Sequence, residues 1–241
     1  MYSKSRTAAL IGALVLATAG LVQSGHAAVI SFVTPTGAST SGGLVSAEAD
    51  FVLGTNSVNL TLTNFLQNPN AISQLISAIT FDVSGVSTSG ALTSTNNGLV
   101  TTISSGGTYT TGVSDPLTRW TATASASQGN VTTLSGGSPD RLIIGPDNLG
   151  RLDPSFGGKY TNANASILGD NPSVLGKGTF NISMLGVTPT ATISNVVFQF
   201  GTTTGADRVP GIPKTQVPEP ATVVLFGLGL AGLGFSRRRQ S

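Results

Sequence analysis

The sequence predicts an all-β protein, an antiparallel two-sheet β-sandwich of jelly-roll or immunoglobulin-like type. Two observations between residues 28 and 207 carry this prediction. Apolar residues recur at every second position, which gives each segment one buried face and one hydrated face. Clusters of Gly, Asn, Ser and Pro separate these segments and indicate tight turns. About 180 residues are enough to bury a two-sheet core. The fold class also includes an N-terminal signal helix and a C-terminal membrane helix.

The strands follow from the alternation, taken in chain order. Five segments alternate: 45–53, 58–62, 79–83, 180–184 and 196–200. Leu142, Ile143 and Ile144 are continuous and predict a strand buried on both faces. Helical spacing occurs only in 69–78 and predicts one or two turns. The Gly-, Pro-, Asn- and Asp-rich stretch 145–177 predicts a long loop.

The first 27 residues predict a secretory signal peptide. Lys4 and Arg6 precede an apolar run at 8–22, and small residues precede a cleavage point after Ala27. The single histidine, His26, leaves with this segment.

The last residues predict a membrane helix behind a stiff stem. Four prolines lie within 208–220, and we assign 208–217 as a Pro-rich linker. The apolar run 221–235 spans about 22 Å as a helix, a little under the ~30 Å of a bilayer core. Arg237, Arg238 and Arg239 follow it and are expected to stay cytoplasmic as a stop signal. The secreted domain then spans 28–207.

Residues 218–241 resemble the tripartite PEP-CTERM sorting signal of Gram-negative bacteria. The resemblance is carried by Pro218, Glu219 and Pro220, by the apolar helix and by the terminal arginines. It implies that an exosortase, a membrane cysteine protease, processes the chain near the Pro-Glu-Pro motif. Signal peptidase and exosortase are thus the expected partners, with a transient inner-membrane anchor and a final location at the cell surface or outside the cell.

The body resembles a recurrent type of PEP-CTERM passenger. The similar phrases are Leu60–Asn64, Arg141–Pro146 and Tyr160–Asn164. This resemblance implies an all-β fold and an extracellular fate, and it implies no activity.

The basic character of the chain lies in its terminal segments. Of twelve cations, Lys4, Arg6 and the three terminal arginines lie there, and of ten acids only Glu219 does. The region between carries a net charge of about −2, although the whole chain is +2. A nucleic-acid partner is therefore not expected.

The residue types argue against an enzyme. The chain has no cysteine, and no histidine follows His26, so catalytic triads, Cys–His dyads and His-ligated metals are unavailable. Paired carboxylates could still serve a glycosidase. Glu48 and Asp50 lie on the hydrated face of one strand, where solubilising charge is the simpler interpretation.

A calcium site is one interpretation of the acids in or beside the long loop. Oxygen ligands of the type that calcium prefers cluster there. The candidates are Asp140, Asp147, Asp153 and Asp170, with nearby asparagines. Asp and Asn are also favoured in turns, so the cluster has a purely structural alternative.

Two further features have competing interpretations. Trp120, the only tryptophan, could stack on a sugar ring but is expected in the core. Thr-x-Thr recurs eight times, which raises ice binding, yet alternating Thr is usual on a hydrated strand face.

These features together predict a secreted, non-enzymatic protein of the cell surface or its exopolysaccharide. The link to exopolysaccharide and biofilm is implied by the sorting family alone. The alternative is a carbohydrate-binding or carbohydrate-active module, which calcium would stabilise, and a third interpretation is ice binding.

Overall fold

The structure is a computed structural model that describes residues 28–214, except 88–90, 97, 126, 137–138 and 170–171. Its seventeen strands are, in chain order, β1 (Val29–Val33), β2 (Ser39–Thr40), β3 (Gly43–Leu44), β4 (Ala47–Gly54), β5 (Ser57–Asn64), β6 (Ile76–Val83), β7 (Ala91–Asn96), β8 (Gly98–Thr101), β9 (Val113–Asp115), β10 (Thr121–Ser125), β11 (Gln128–Thr132), β12 (Leu142–Ile144), β13 (Ser173–Leu175), β14 (Lys177–Ser183), β15 (Ile193–Phe200), β16 (Arg208–Pro210) and β17 (Ile212–Pro213). Three short 3₁₀ helices span Ile72–Gln74, Leu134–Gly136 and Pro154–Phe156.

The all-β prediction is confirmed, with a different hydrogen-bonding pattern. Fifteen strands form one mixed sheet in the order β17-β1-β4-β5-β14-β7-β10-β11-β6-β12-β13-β8-β9, with β15 on β6 and β16 on β15. Strands β2 and β3 form a separate hairpin. The pair β12–β13 is parallel, and the other pairs are antiparallel. The sequence predicted two separate antiparallel sheets. The structure joins them into one, because the single pair Thr123–Ala91 links β10 to β7.

The sheet folds over on itself around one apolar core. Phe51 on β4 and Phe81 on β6 lie far apart in the strand order, yet their ring centroids are 4.9 Å apart in an edge-to-face contact. Inward side chains of the alternating strands fill this space, as the sequence predicts. The buried apolar residues of the five alternating segments include Ala47, Ala49, Leu53, Val58, Leu60, Leu62, Ile79, Val83, Phe180, Ile182, Met184, Val196, Phe198 and Phe200.

A second, smaller core lies under the long loop. Leu142 and Ile144 pack there with Tyr109, Tyr160 and Ile167. The third residue of β12, Ile143, belongs to the main core, so this strand is buried on both faces as predicted.

Three segments differ in extent from the prediction. Only Ile72–Gln74 of the stretch 69–78 is helical, and the strand β6 begins at Ile76. The loop that begins at Gly145 ends before β13 at Ser173. Strands β16 and β17 continue the sheet through Pro213, into the stretch predicted as linker. Pro213 is tolerated because β17 is the edge strand.

Candidate functional site

The targeting residues of both termini lie outside the described residues. This holds for Ala27, for Pro218, Glu219 and Pro220, and for Arg237, Arg238 and Arg239. Within residues 28–214, as far as they are described, no helix has the length and apolarity needed to cross a bilayer.

The three calcium candidates that the structure describes, Asp140, Asp147 and Asp153, do not form one cluster. Asp147 is buried, Asp153 caps the 3₁₀ helix Pro154–Phe156, and Asp140 pairs with arginines. Asp170 lies outside the described residues. Among the residues that the structure describes, no three His, Cys, Asp or Glu side chains are grouped closely enough to hold a metal ion.

Asp147 instead organises the long loop as a buried hydrogen-bond acceptor. Its side chain is 0% exposed. Its Oδ1 accepts the backbone N–H groups of Leu149 and Arg151 at 2.8 and 3.0 Å, and its Oδ2 accepts the hydroxyl of Tyr109 at 3.0 Å. A β-carbon at Gly158 would overlap Oδ2, so glycine there permits the close approach. Both oxygens of the carboxylate thus accept hydrogen bonds that hold the loop in place.

The two tyrosines beside Asp147 are strongly perturbed. Burial, followed by the hydrogen bond to Asp147 and nearby carboxylates, raises the pKa of Tyr109 well above its ordinary value. Burial, followed by the proximity of Tyr109 and Asp147, raises the pKa of Tyr160. Tyr160 donates its hydroxyl to the carbonyl of Gly145 at 2.9 Å. Both phenols are therefore neutral donors that hold the loop.

Asp140 belongs to a surface network of arginines and carboxylates. Its Oδ2 lies 3.2 Å from Arg141 and 3.5 Å from Arg119, and Arg141 also contacts Asp115 at 3.0 Å. The Oδ1 of Asp140 is buried without a hydrogen-bond partner among the described residues. Two adjacent cations make this position a poor one for a metal cation.

Trp120 lies in the core, as predicted. It is 2% exposed, its ring centroid lies 4.8 Å from that of Phe180, and its Nε1 donates to the carbonyl of Arg141 at 3.0 Å. The stacking of a sugar ring on this side chain is thus ruled out by burial.

The Thr-x-Thr pairs are spread over strands and turns. Thr61 and Thr179 face each other across β5 and β14, with their hydroxyls 3.1 Å apart. Thr188 and Thr190, by contrast, lie in a turn. Glu48 and Asp50 are on the outer, half-buried face of β4, as expected. The described residues therefore give no particular support to ice binding.

An open groove of about 530 Å³ lies between β5, β8, the β13–β14 junction and the long loop. We call it the Phe65 groove. Three of its lining side chains are large, apolar and exposed: Phe65 at 52%, Leu99 at 48% and Leu152 at 39%. Thr63, Lys177 and Thr179 line the side formed by the outer sheet face. An apolar cleft with a few convergent polar groups is the usual form of a ligand site.

The wall of this groove is fixed by Asn64. This buried amide donates to the carbonyls of Gln74 and Ile143 at 3.0 and 2.9 Å, and its Oδ1 accepts the N–H of Leu66 at 3.0 Å. Asn64 thus takes the inward position that an apolar residue would have held, and Phe65 turns outward. The break in alternation after Leu62 was the available sequence signal for this groove, and it was missed.

Comparison with known proteins identifies the C-terminal segment. The family model of the PEP-CTERM protein-sorting motif matches residues 216–239, which confirms the resemblance predicted for this segment. No curated protein and no solved structure matches the chain.

Proposed function

We propose that this chain, whose PEP-CTERM sorting motif at residues 216–239 indicates an exosortase-targeted secreted protein, carries its β-sheet domain as a non-enzymatic passenger of the cell surface. In this proposal the passenger associates with exopolysaccharide in the matrix of a biofilm of a Gram-negative bacterium. The observation that carries the proposal is the position of the motif, which begins at residue 216, directly after the last paired strand, β17.

The chemistry of the motif supports processing at this point. Proline disfavours helix, so Pro218 and Pro220 favour the extended form in which proteases accept peptides. Glu219 is the one charged side chain in this stretch and is the recognition element in our proposal. Arg237, Arg238 and Arg239 would keep the apolar segment from sliding through the inner membrane. Signal peptidase would cleave after Ala27.

The mature C-terminus tests the sorting step. The full chain is expressed in an exporting Gram-negative host that contains an exosortase, and the secreted protein is analysed by mass spectrometry. We expect a C-terminus near the Pro-Glu-Pro motif in the parent chain. Glu219→Ala should retain residues 221–241, while the control Asp153→Ala, which removes an exposed carboxylate from the long loop, should be processed normally. Unchanged processing of Glu219→Ala would contradict the proposal.

The absence of enzymatic activity is also a proposal. It is supported by the engagement of the carboxylates: Asp147 is buried among donors, Asp140 pairs with arginines, and Glu48 pairs with Lys214. A hydrolysis assay against a panel of polysaccharides tests it, and turnover of any of them would overturn it.

The second candidate function is a carbohydrate-binding or carbohydrate-active module. The Phe65 groove favours it, because an exposed aromatic ring beside hydroxyl groups suits a sugar. A glycan array distinguishes ligand binding from a passive passenger. Calcium stabilisation belongs to this candidate, and a rise of the thermal midpoint at millimolar calcium would support it. The finer architecture, a sandwich of jelly-roll or immunoglobulin-like connectivity, is likewise a proposal, supported by the folded-over sheet.

A further inference from the structure

The Phe65 groove is assembled from segments that are distant in sequence and held together by buried contacts. The backbone N–H of Asn64 donates to the carbonyl of Gly176 at 2.9 Å, which joins the end of β5 to the β13–β14 junction. Gly176 has a φ of +71°, and a β-carbon there would overlap Leu152. Gly176 thus allows the long loop to lay Leu152 against the junction. The shape of the groove is therefore fixed by these packing and hydrogen-bond contacts.

The charge of the groove has one sign. Lys177 is exposed and, of the residues that the structure describes, is the only charged side chain that lines the groove. Among the described residues, no carboxylate lies within ion-pair distance of its ammonium group. The acids on the adjoining strands have other partners, since Asp115 pairs with Arg141 and Glu48 with Lys214. An occupant that matches this groove therefore carries a negative charge.

The remaining lining groups specify what else the occupant presents. Lys177 lies directly opposite Thr63 in the β5–β14 register, and Thr179 lies on the same outer face two residues later. Two threonine hydroxyls thus lie on the same sheet face as the lysine. Phe65, Leu99 and Leu152 add exposed apolar surface to the lining of the groove. The occupant must combine an apolar face, hydrogen-bonding edges and an anionic group.

We propose that the Phe65 groove binds an acidic polysaccharide through its hexuronate residues. A pyranose ring has an apolar face that can pack on Phe65, hydroxyls that can bond to Thr63 and Thr179, and in a uronate a carboxylate that can pair with Lys177. This inference rests on the proposed function, because it names the class of exopolysaccharide that the exported domain holds. Neutral polysaccharides leave Lys177 unpaired and bind more weakly.

Isothermal titration calorimetry on the full-length chain in a non-ionic detergent tests this. The probes are oligogalacturonate and a neutral dextran oligosaccharide of equal length. We expect binding of the uronate that weakens as salt is raised, and binding of the dextran at least about tenfold weaker. Equal affinity for the two probes, or no binding of the uronate, would overturn the proposal.

Matched substitutions locate the site. We expect Lys177→Gln and Phe65→Ala each to weaken uronate binding about tenfold or more, while Lys177→Arg retains it. The controls are Lys159→Gln, an exposed cation of the long loop, and Phe156→Ala, a ring that is 63% exposed and does not line the groove. Both controls should bind within about twofold of the parent.

The variants that lose binding affinity distinguish the possible occupants of the groove. Equal losses in Lys159→Gln and Lys177→Gln would show diffuse charge attraction and overturn the groove assignment. If an apolar peptide bound instead, with sensitivity to Phe65→Ala but not to Lys177→Gln, the uronate assignment would be wrong. Failure of this proposal leaves the sorting result intact, because the mature C-terminus is measured independently of any sugar.

Discussion

Lys214 pairs with Glu48 at the edge of the sheet, with Nζ at 2.8 Å from Oε1 and 2.9 Å from Oε2. The backbone N–H of Lys214 also donates to the carbonyl of Ser31 at 2.8 Å. The matched sorting motif begins only two residues later, at 216. The C-terminal end of the domain is thus hydrogen-bonded to the first strand, β1. Only residue 215 separates this attachment from the sorting motif.

We predict that Lys214→Met loosens this edge without unfolding the domain. The pair is solvent-exposed on the lysine side, so its loss should leave the global unfolding midpoint nearly unchanged. The amide of residue 214 should exchange with solvent faster, because the fraying of β17 is no longer opposed by the ion pair. Hydrogen exchange followed by mass spectrometry measures this.

The control for that edge is Lys159→Met, which should leave exchange at residue 214 unaltered. A pH series gives a second check. The hydrogen bonds that Lys214 donates to the Glu48 carboxylate, opposed by desolvation of the ammonium group, raise the pKa of Lys214. The stabilisation is therefore fully present below the ordinary lysine pKa and is lost as the pH rises through the raised value. Protection at residue 214 that vanished at neutral pH would contradict this assignment.

We predict that Gly158→Ala destabilises the domain by about 1–3 kcal/mol. The added β-carbon would overlap Oδ2 of Asp147, which cannot withdraw without losing the hydroxyl of Tyr109. Chemical denaturation measures the effect. The matched control is Gly106→Ala, where the nearest atom is Ser104 Oγ at 3.9 Å, and it should be nearly neutral. Equal stability of the two variants would show that Asp147 does not constrain the loop.

We predict that the phenols of the domain do not titrate at about pH 10, the ordinary value for tyrosine. After the signal segment, the chain contains only Tyr109 and Tyr160. Both have raised pKa values, with burial as the largest cause. A raised pKa in the folded state gives stability that is present below the unfolded value and is lost as the pH rises. Phenolate absorption should therefore emerge together with alkaline unfolding.

Ultraviolet difference spectra and circular dichroism, recorded on the same samples, measure this coincidence. Tyr109→Phe is the control, since it should halve the phenolate signal and still show one transition. Phenolate formation that preceded the loss of β-structure would mean that these rings are open to solvent in the folded protein.

The five longest strands, β4, β5, β6, β14 and β15, were predictable from the sequence because burial on one face imposes a period of two. Phe51, Leu60 and Phe81 all point inward where the alternation places them. The joining of the sheet could not be predicted, since it depends on one long-range pair, Thr123–Ala91. The edge strands β16 and β17 were not predicted, because both contain a proline and proline is disfavoured in most strand positions.

The site was less predictable than the fold. Asp147 was predicted only as a calcium candidate, because the spacing of acids carries no information on burial and the hydroxyl of Tyr109 comes from a distant segment. Lys177 and Leu152 line the same groove, and Leu152 packs against Gly176, where a β-carbon would overlap it. These contacts depend on tertiary packing, and the apolar periodicity of a single strand gives no information on it.

The alternation of β5 would favour an apolar residue such as leucine at position 64. We nevertheless predict that Asn64→Leu destabilises the domain by at least about 2 kcal/mol. Leucine restores the apolar pattern, but it leaves the carbonyls of Gln74 and Ile143 and the N–H of Leu66 without the partners that the amide provides. Each buried polar group that loses its only partner costs about 1–3 kcal/mol, which exceeds the gain from added apolar contact. Denaturant unfolding compares this variant with the control Asn162→Leu at an exposed position. If Asn64→Leu were as stable as the parent, the three hydrogen bonds would not be what turns Phe65 outward, and the groove would have to be explained by the loop alone.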